Sequence, residues 1–211
     1  MFGEIESSFH AIFVASIAIV AVLNPFGNLP QFIAMTEGVE KSTRQKLFAN
    51  IIFVAFCIVV IFLLSGSFIM NYLFRVSLDD VRVAGGLILV VMSLKSLLFA
   101  NANKDYSHYK GLDFETLFKH SIIPMAFPML VGPGTLSTIV VISEERGMIV
   151  ALGSVVCSFV FMLALFHFAA MIERVLGKLV LYILSRIALV FIIAMGTKMV
   201  VTGLRGMGLA P

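Results

Sequence analysis

The sequence is short of charge. Asp, Glu, Lys and Arg make up 13% of its 211 residues, about half of the roughly 25% that a soluble domain spreads over its surface. With 60% of residues hydrophobic and a mean hydropathy of +1.07, a water-exposed shell cannot be built, and no segment reads as a separate soluble domain. Carboxylates are missing from every long apolar stretch. The twelve present (Glu4, Glu6, Glu37, Glu40, Asp79, Asp80, Asp105, Asp113, Glu115, Glu144, Glu145 and Glu173) fall in termini, connections or segment ends. The usual intramembrane proton carrier, an Asp or Glu at membrane depth, is therefore not available. Catalytic apparatus is lacking too. No G-x-S-x-G, H-E-x-x-H or H-x-x-x-H pattern occurs, so neither an enzyme nor a transition-metal centre is expected, and no cofactor. The two cysteines, Cys57 and Cys157, lie deep in apolar runs and read as small hydrophobes, not as a disulfide framework. The first residues hold Glu4 and Glu6 but no Lys or Arg, so the basic flank of a cleavable signal is absent and the first apolar segment is expected to be retained. The net charge of +3 is scattered, which speaks against a nucleic-acid partner.

What is present is a set of membrane-length segments. Residues 7–36, 47–74, 120–143 and 147–172 contain no Asp, Glu, Lys or Arg, and each exceeds the ~20 apolar residues that cross a bilayer as a helix. Two shorter stretches, 83–100 and 187–204, each hold one lysine, Lys95 and Lys198. Together they predict an all-α membrane protein of six crossings in one domain, 1–211, with lipid as its surroundings. If the N-terminus lies outside, the inner connections carry nine basic residues and the outer ones four (Arg75, Arg82, Arg146 and Arg205). That asymmetry predicts a multi-pass protein of the cytoplasmic membrane with both termini non-cytoplasmic and a cytoplasmic connection at 104–119.

The halves repeat each other. Pro25 and Pro133 stand 108 residues apart, each in a glycine-containing interruption. The third crossing reads Arg82-Val83-Ala84 and then Met92-Ser93-Leu94-Lys95; the sixth reads Arg186-Ile187-Ala188 and then Met195-Gly196-Thr197-Lys198. The offset drifts only from 108 to 103. A duplication with repeats at 1–103 and 120–211 follows. Three crossings per repeat turn the second copy upside down, and such inverted repeats place a solute site at their interface near the midplane.

Five of the six prolines, Pro25, Pro30, Pro124, Pro128 and Pro133, lie in crossings one and four. Pro124 and Pro128 alone read as mechanical kinks. The clusters Asn24-Pro25-Phe26-Gly27-Asn28-Leu29-Pro30 and Val131-Gly132-Pro133-Gly134-Thr135-Leu136-Ser137-Thr138 predict helix breaks, because proline removes an N–H and glycine permits unusual backbone. Asn28 is expected to cap the restarted helix with Pro30 in its first turn, and Thr135 or Ser137 to do so in the second half. Each restart presents free N–H groups and a positive dipole end, and each preceding segment presents carbonyls, which together suit a zwitterion. Oxygens of Asn24, Asn28, Thr135, Ser137 and Thr138 also suit sodium, making facilitated or sodium-coupled movement the expectation over proton coupling, for which His167 and the edge carboxylates are the remaining candidates. Lys95 and Lys198 read equally as snorkelling anchors or as gating and binding groups. His10 and His167, in or near crossings, read as packing residues.

The motif N-P-x-G-N-x-P in the first crossing, with P-x-x-x-G-P-G-x-x-S-T in the fourth, resembles the MarC family of bacterial and archaeal membrane proteins. The resemblance covers nearly the whole chain and includes the six-segment layout. It implies a solute site at Asn24, Pro25, Gly27, Asn28 and Pro30 and at Gly132, Pro133, Gly134, Ser137 and Thr138. It also implies secondary transport of a small solute, a small neutral amino acid first, since family members include such a transporter and the family is similar to amino-acid exporters of the lysine-exporter superfamily. An ion or solute channel, and a non-transporting scaffold or sensor, are the other readings.

Overall fold

A computed structural model describes residues 2–36, 38–69, 72, 75–98 and 114–209. Glu37 and residues 104–113 of the predicted connection lie outside the described residues. The described chain forms α1 (Phe2–Leu23), α2 (Pro25–Met35), α3 (Lys41–Phe68), α4 (Leu78–Leu98) and α5 (Phe114–His120). A π-helical stretch (Ser121–Leu130) leads into α6 (Pro133–Arg146), α7 (Met148–His167) and α8 (Ala169–Gly206). No strand occurs among the described residues.

Four helices are long and apolar enough to cross a membrane alone: Lys41–Gly66 of α3, α4, α7 and Leu179–Gly206 of α8. There are six crossings if each of two bent pairs counts as one. Ser8–Leu23 and α2 meet at 42°, and Glu115–Leu130 and α6 meet at 60°. Large apolar side chains face outward, among them Phe9, Phe53, Ile149 and Val175. In water each would forgo about 1.5–3 kcal/mol of burial free energy; against hydrocarbon they lose nothing. The chain is a multi-pass integral membrane protein.

The helices overrun the charge-free intervals. α3 starts at Lys41, α4 at Leu78 and the last span at Leu179, not at 47, 83 and 187. Charged side chains on the end turns do not stop a helix, because their stems can reach the interface. The predicted segment 147–172 is instead divided. α7 ends at His167, and α8 begins with a short piece bent at Gly177, whose φ of 75° is open to glycine at little cost.

α4 lies along α8, α2 on α8, α6 on α4, α1 on α7, and α3 on both α7 and the π-helical stretch. Little hydrophobic force separates helices from lipid tails, so close packing and hydrogen bonds hold such pairs. A Cβ on Gly86 would strike the Gly196 carbonyl and the Val200 backbone, and one on Gly196 would strike the Gly86 carbonyl. The two backbones therefore touch there. α1 and α7 are laced by serines: Ser154 Oγ donates to the Ile12 carbonyl (3.2 Å) and Ser158 Oγ to that of Ser16 (3.1 Å). Asn50 Nδ2 donates to Ser121 Oγ (2.7 Å), tying α3 to the π-helical stretch. Phe166 of α7 packs at a tilt against Phe32 of α2 (5.6 Å between centroids) and edge-to-face against Phe48 of α3 (5.7 Å), so α2 is held from the core side.

Candidate functional site

The first break is one residue wide. Asn24 is left-handed (φ 46°, ψ 61°), a region asparagine tolerates better than other residues with a side chain. Its Oδ1 accepts from the Gly27 amide (3.2 Å), and its carbonyl from Gly27 and Asn28 (3.1 Å each). Asn24 is thus the cap and Pro25 the first helical residue. The expected capping by Asn28, with Pro30 in the first turn, is corrected: an asparagine directly before a proline already fills both positions. Asn28 instead lies buried inside α2, donating Nδ2 to the Leu23 carbonyl at the end of α1 (2.8 Å), and Pro30 lies within α2. Gly27 makes room for the cap, since a Cβ there would collide with the Asn24 carboxamide.

The second break is wider. Ile123 (φ −126°, ψ 121°) and Phe127 (φ −135°, ψ 129°) are extended inside the π-helical stretch, each directly before a proline, as the clash with proline Cδ requires. Val131 and Gly132 are also extended, and α6 starts at Pro133. Gly132 occupies the cap position without any side chain to offer. The expected caps Thr135 and Ser137 are corrected, because Pro133 sets the helix start upstream and leaves both inside it. Thr138 Oγ1 donates to the Gly134 carbonyl (2.8 Å).

Both restarts open on one cavity of about 810 Å³. Asn24, Gly27, Asn28 and Pro30 line it from the first break, and Gly132, Gly134 and Thr135 from the second. Pro25, Pro133, Ser137 and Thr138 do not; the Ser137 side chain rests on Gly85 of α4. The oxygen set Asn24, Asn28, Thr135 and Ser137 is therefore not assembled on one wall. Pro128, read as a mere kink, does line the cavity. Lys95 and Lys198 are exposed and off the wall, as anchors would be; His10 and His167 are exposed as well.

Sequence reasoning missed Arg44, Ser93, Ser96, Glu173, Ser185 and Arg186, all on the wall. Two had a signal: Arg186 heads the repeated R-x-A, and Ser93 sits inside the repeated M-x-x-K. Arg186 Nη1 donates to the carbonyls of Ser96 (2.5 Å) and Leu97 (3.3 Å), and its guanidinium lies 4.5 Å from the Tyr182 ring centre. It closes the C-terminal end of α4, where helix carbonyls lack partners. Arg44 donates to the Val39 carbonyl (3.4 Å), and its buried Nε has no hydrogen-bond partner among the described residues.

The cavity is one-sided. It uses Leu89 to Ser96 of α4 and Tyr182 to Ile192 of α8, the ends joined by Arg186. Toward the other end, Gly86 meets Gly196, Gly85 meets Ser137 and Gly134 meets Leu89. Arg82 spans the top of this packed region, with Nη1 2.5 Å from Asp79 Oδ1 and Nη2 2.6 Å from Glu145 Oε1 at the end of α6. No group of three or more His, Cys, Asp or Glu residues able to hold a metal occurs among the described residues.

Comparison with known proteins finds membrane proteins that match nearly the whole chain. The chain is 31% identical over 210 residues to the UPF0056 membrane protein YhcE of Escherichia coli, covering 94% of each chain. It is 28% identical over 201 residues to YvbG of Bacillus subtilis, covering 90% of this chain and 92% of that one. A UPF0056 membrane protein of Archaeoglobus fulgidus is 29% identical over 198 residues, 91% of each. No solved structure matches. The model of the MarC family of integral membrane proteins matches residues 9–208, and the chain belongs to that family.

Proposed function

We propose that the chain is a secondary transporter that carries a small zwitterionic solute, a small neutral amino acid first, across the cytoplasmic membrane, with no catalytic chemistry of its own. The observation that carries this reading is the convergence of two helix restarts on one cavity that is packed shut toward one end. Half-helix N-termini supply hydrogen-bond donors to a carboxylate, and the ends of the preceding segments supply acceptors to an ammonium. A cavity closed on one side is what a carrier needs in one of its two states, whereas an open channel needs a continuous path. Inverted repeats are part of the proposal. Exchanging the halves carries α2-on-α8 into α6-on-α4 and α1-on-α7 into the π-helical stretch on α3, while α4–α8 and α3–α7 map onto themselves. In proteoliposomes, uptake of alanine, glycine or serine should saturate and show counterflow. Flux proportional to concentration without counterflow would indicate a channel, and no flux over a broad panel a scaffold.

In the proposed orientation both termini are non-cytoplasmic, and the cavity faces the side bearing Arg44, Glu173 and Arg186. A single cysteine at the exposed Lys119, in a variant lacking Cys57 and Cys157, should resist impermeant thiol reagents in intact cells. Ready labelling would reverse the orientation.

Coupling has two readings. Asn24, Asn28 and Thr135 keep oxygens on the wall for sodium, yet Glu173 brings a carboxylate to the same cavity and favours a proton. Uptake under a sodium gradient and under a pH gradient, with the potential clamped, separates them. If the proton reading holds, Glu173→Gln should abolish pH-driven accumulation while sparing exchange.

A further inference from the structure

Two buried hydroxyls on the cavity wall have no hydrogen-bond partner among the described residues. Ser93 is 5% exposed and Thr135 3%, and both line the cavity. Comparably buried hydroxyls behave otherwise: Thr138, Ser154 and Ser158 each give their proton to a backbone carbonyl one turn earlier. The oxygens of Ser93 and Thr135 are not sealed inside the protein but open on the cavity, so their hydrogen-bond partner comes from whatever fills it.

Both converge on the start of α6. Gly85 abuts Ser137 and Leu89 abuts Gly134, so α4 and α6 run antiparallel. Ser93, one turn beyond Leu89, therefore stands in front of the first turn of α6. Pro133 has no N–H there, the Thr135 amide turns back to the Gly132 carbonyl (3.0 Å), and the Gly134 amide has no intrahelical acceptor, as at any helix start.

We propose that Ser93 Oγ, Thr135 Oγ1 and the Gly134 amide form a carboxylate subsite, placed at the positive end of α6. The proposal rests on the transport reading and names how the solute's acidic end is held. Three neutral donors and a helix dipole can hold a desolvated carboxylate without an ion pair, and so without the strong grip that would hinder release. Sequence symmetry gives the subsite a direction. The repeat partner of Ser93 is Gly196 and that of Thr135 is Gly27, so the start of α2 has no matching hydroxyls. The carboxylate therefore belongs to α6, leaving the ammonium to Asn28 and the last carbonyls of α1.

The test is thermal-shift titration of the purified full chain with glycine, L-alanine, L-serine and L-alaninamide. Wild-type protein should be stabilised by one or more of the amino acids and not by alaninamide, which lacks the carboxylate. Ser93→Ala and Thr135→Val should each weaken that binding about tenfold to a hundredfold, the loss of a hydrogen bond to a charged group. Thr135→Ser should retain it, and Thr197→Ala, on the exposed face of α8, should be neutral. Wild-type affinity in both hydroxyl-free variants, or equal stabilisation by alanine and alaninamide, overturns the subsite but leaves the transport reading intact. No stabilisation and no flux with any of these amino acids removes both.

Discussion

A Gly86→Leu chain should melt about 2–12 °C below the parent in detergent. The Gly86 Cα lies against the Gly196 carbonyl and the Val200 backbone, and backbone cannot move aside as a side-chain tip can. Overpacking typically costs about 1–3 kcal/mol and sometimes more. For a chain of this size each 1 kcal/mol moves the melting temperature by roughly 2–4 °C. Ala84→Leu is the control, because Ala84 is exposed on the same helix and should melt like the parent. Equal melting of the two variants would mean that α4 and α8 do not touch through these glycines.

The second large effect concerns the packed end. Arg82 draws α4 to α6 through Glu145 across a sequence separation of 63 residues. Its side chain is only 16% exposed, so removing the pair leaves poorly hydrated charges that drive the helices apart. Leu89→Cys, on the wall nearest the packed end, should react slowly with an impermeant thiol reagent applied from the Arg82 face. Adding Arg82→Glu, which sets three carboxylates together, should raise that rate tenfold or more. Restoring attraction with Arg82→Glu plus Glu145→Arg should return it toward the parent value. An unchanged rate in Arg82→Glu would show that the ion pair is not what seals this face.

Much of the architecture was legible because membrane proteins write it in charge. Four charge-free intervals and two that hold one lysine each coincide with four helices of membrane length and two bent pairs, and the chain bends at the clusters around Pro25 and Pro133. The cap at Asn24 is legible in principle, since asparagine before proline is a helix-start signal; Asn28 with Pro30 offers a competing signal a turn later. Gly27 and Gly134, expected at a solute site, both line the cavity, and a Cβ on either would meet the Asn24 carboxamide or Leu89. Of the wall residues, Ser93 and Arg186 carried only the repeated motifs as a signal, and Arg44 and Glu173 carried none. They come from helix ends or an unremarked serine on four different turns, and only tertiary packing brings them together. Glu173 is the plainest case. It reads as an edge carboxylate, and the bend at Gly177 accompanies its place on the cavity wall.

The matched motifs of α4 and α8 differ by one residue in length: Arg82 to Met92 is ten steps, and Arg186 to Met195 is nine. On a helix of 3.6 residues per turn, one step rotates everything beyond it by about 100°. In the proposed repeat, Ser93 lines the cavity while its counterpart Gly196 lies against α4. If the halves trade conformations during transport, the second state is not a mirror copy of the first. Its cavity is walled by a different face, with a different grip on the solute. Unequal grip at the two openings makes half-saturation differ between the two directions of flux, so the protein would load more readily from one side of the membrane even when no gradient drives it.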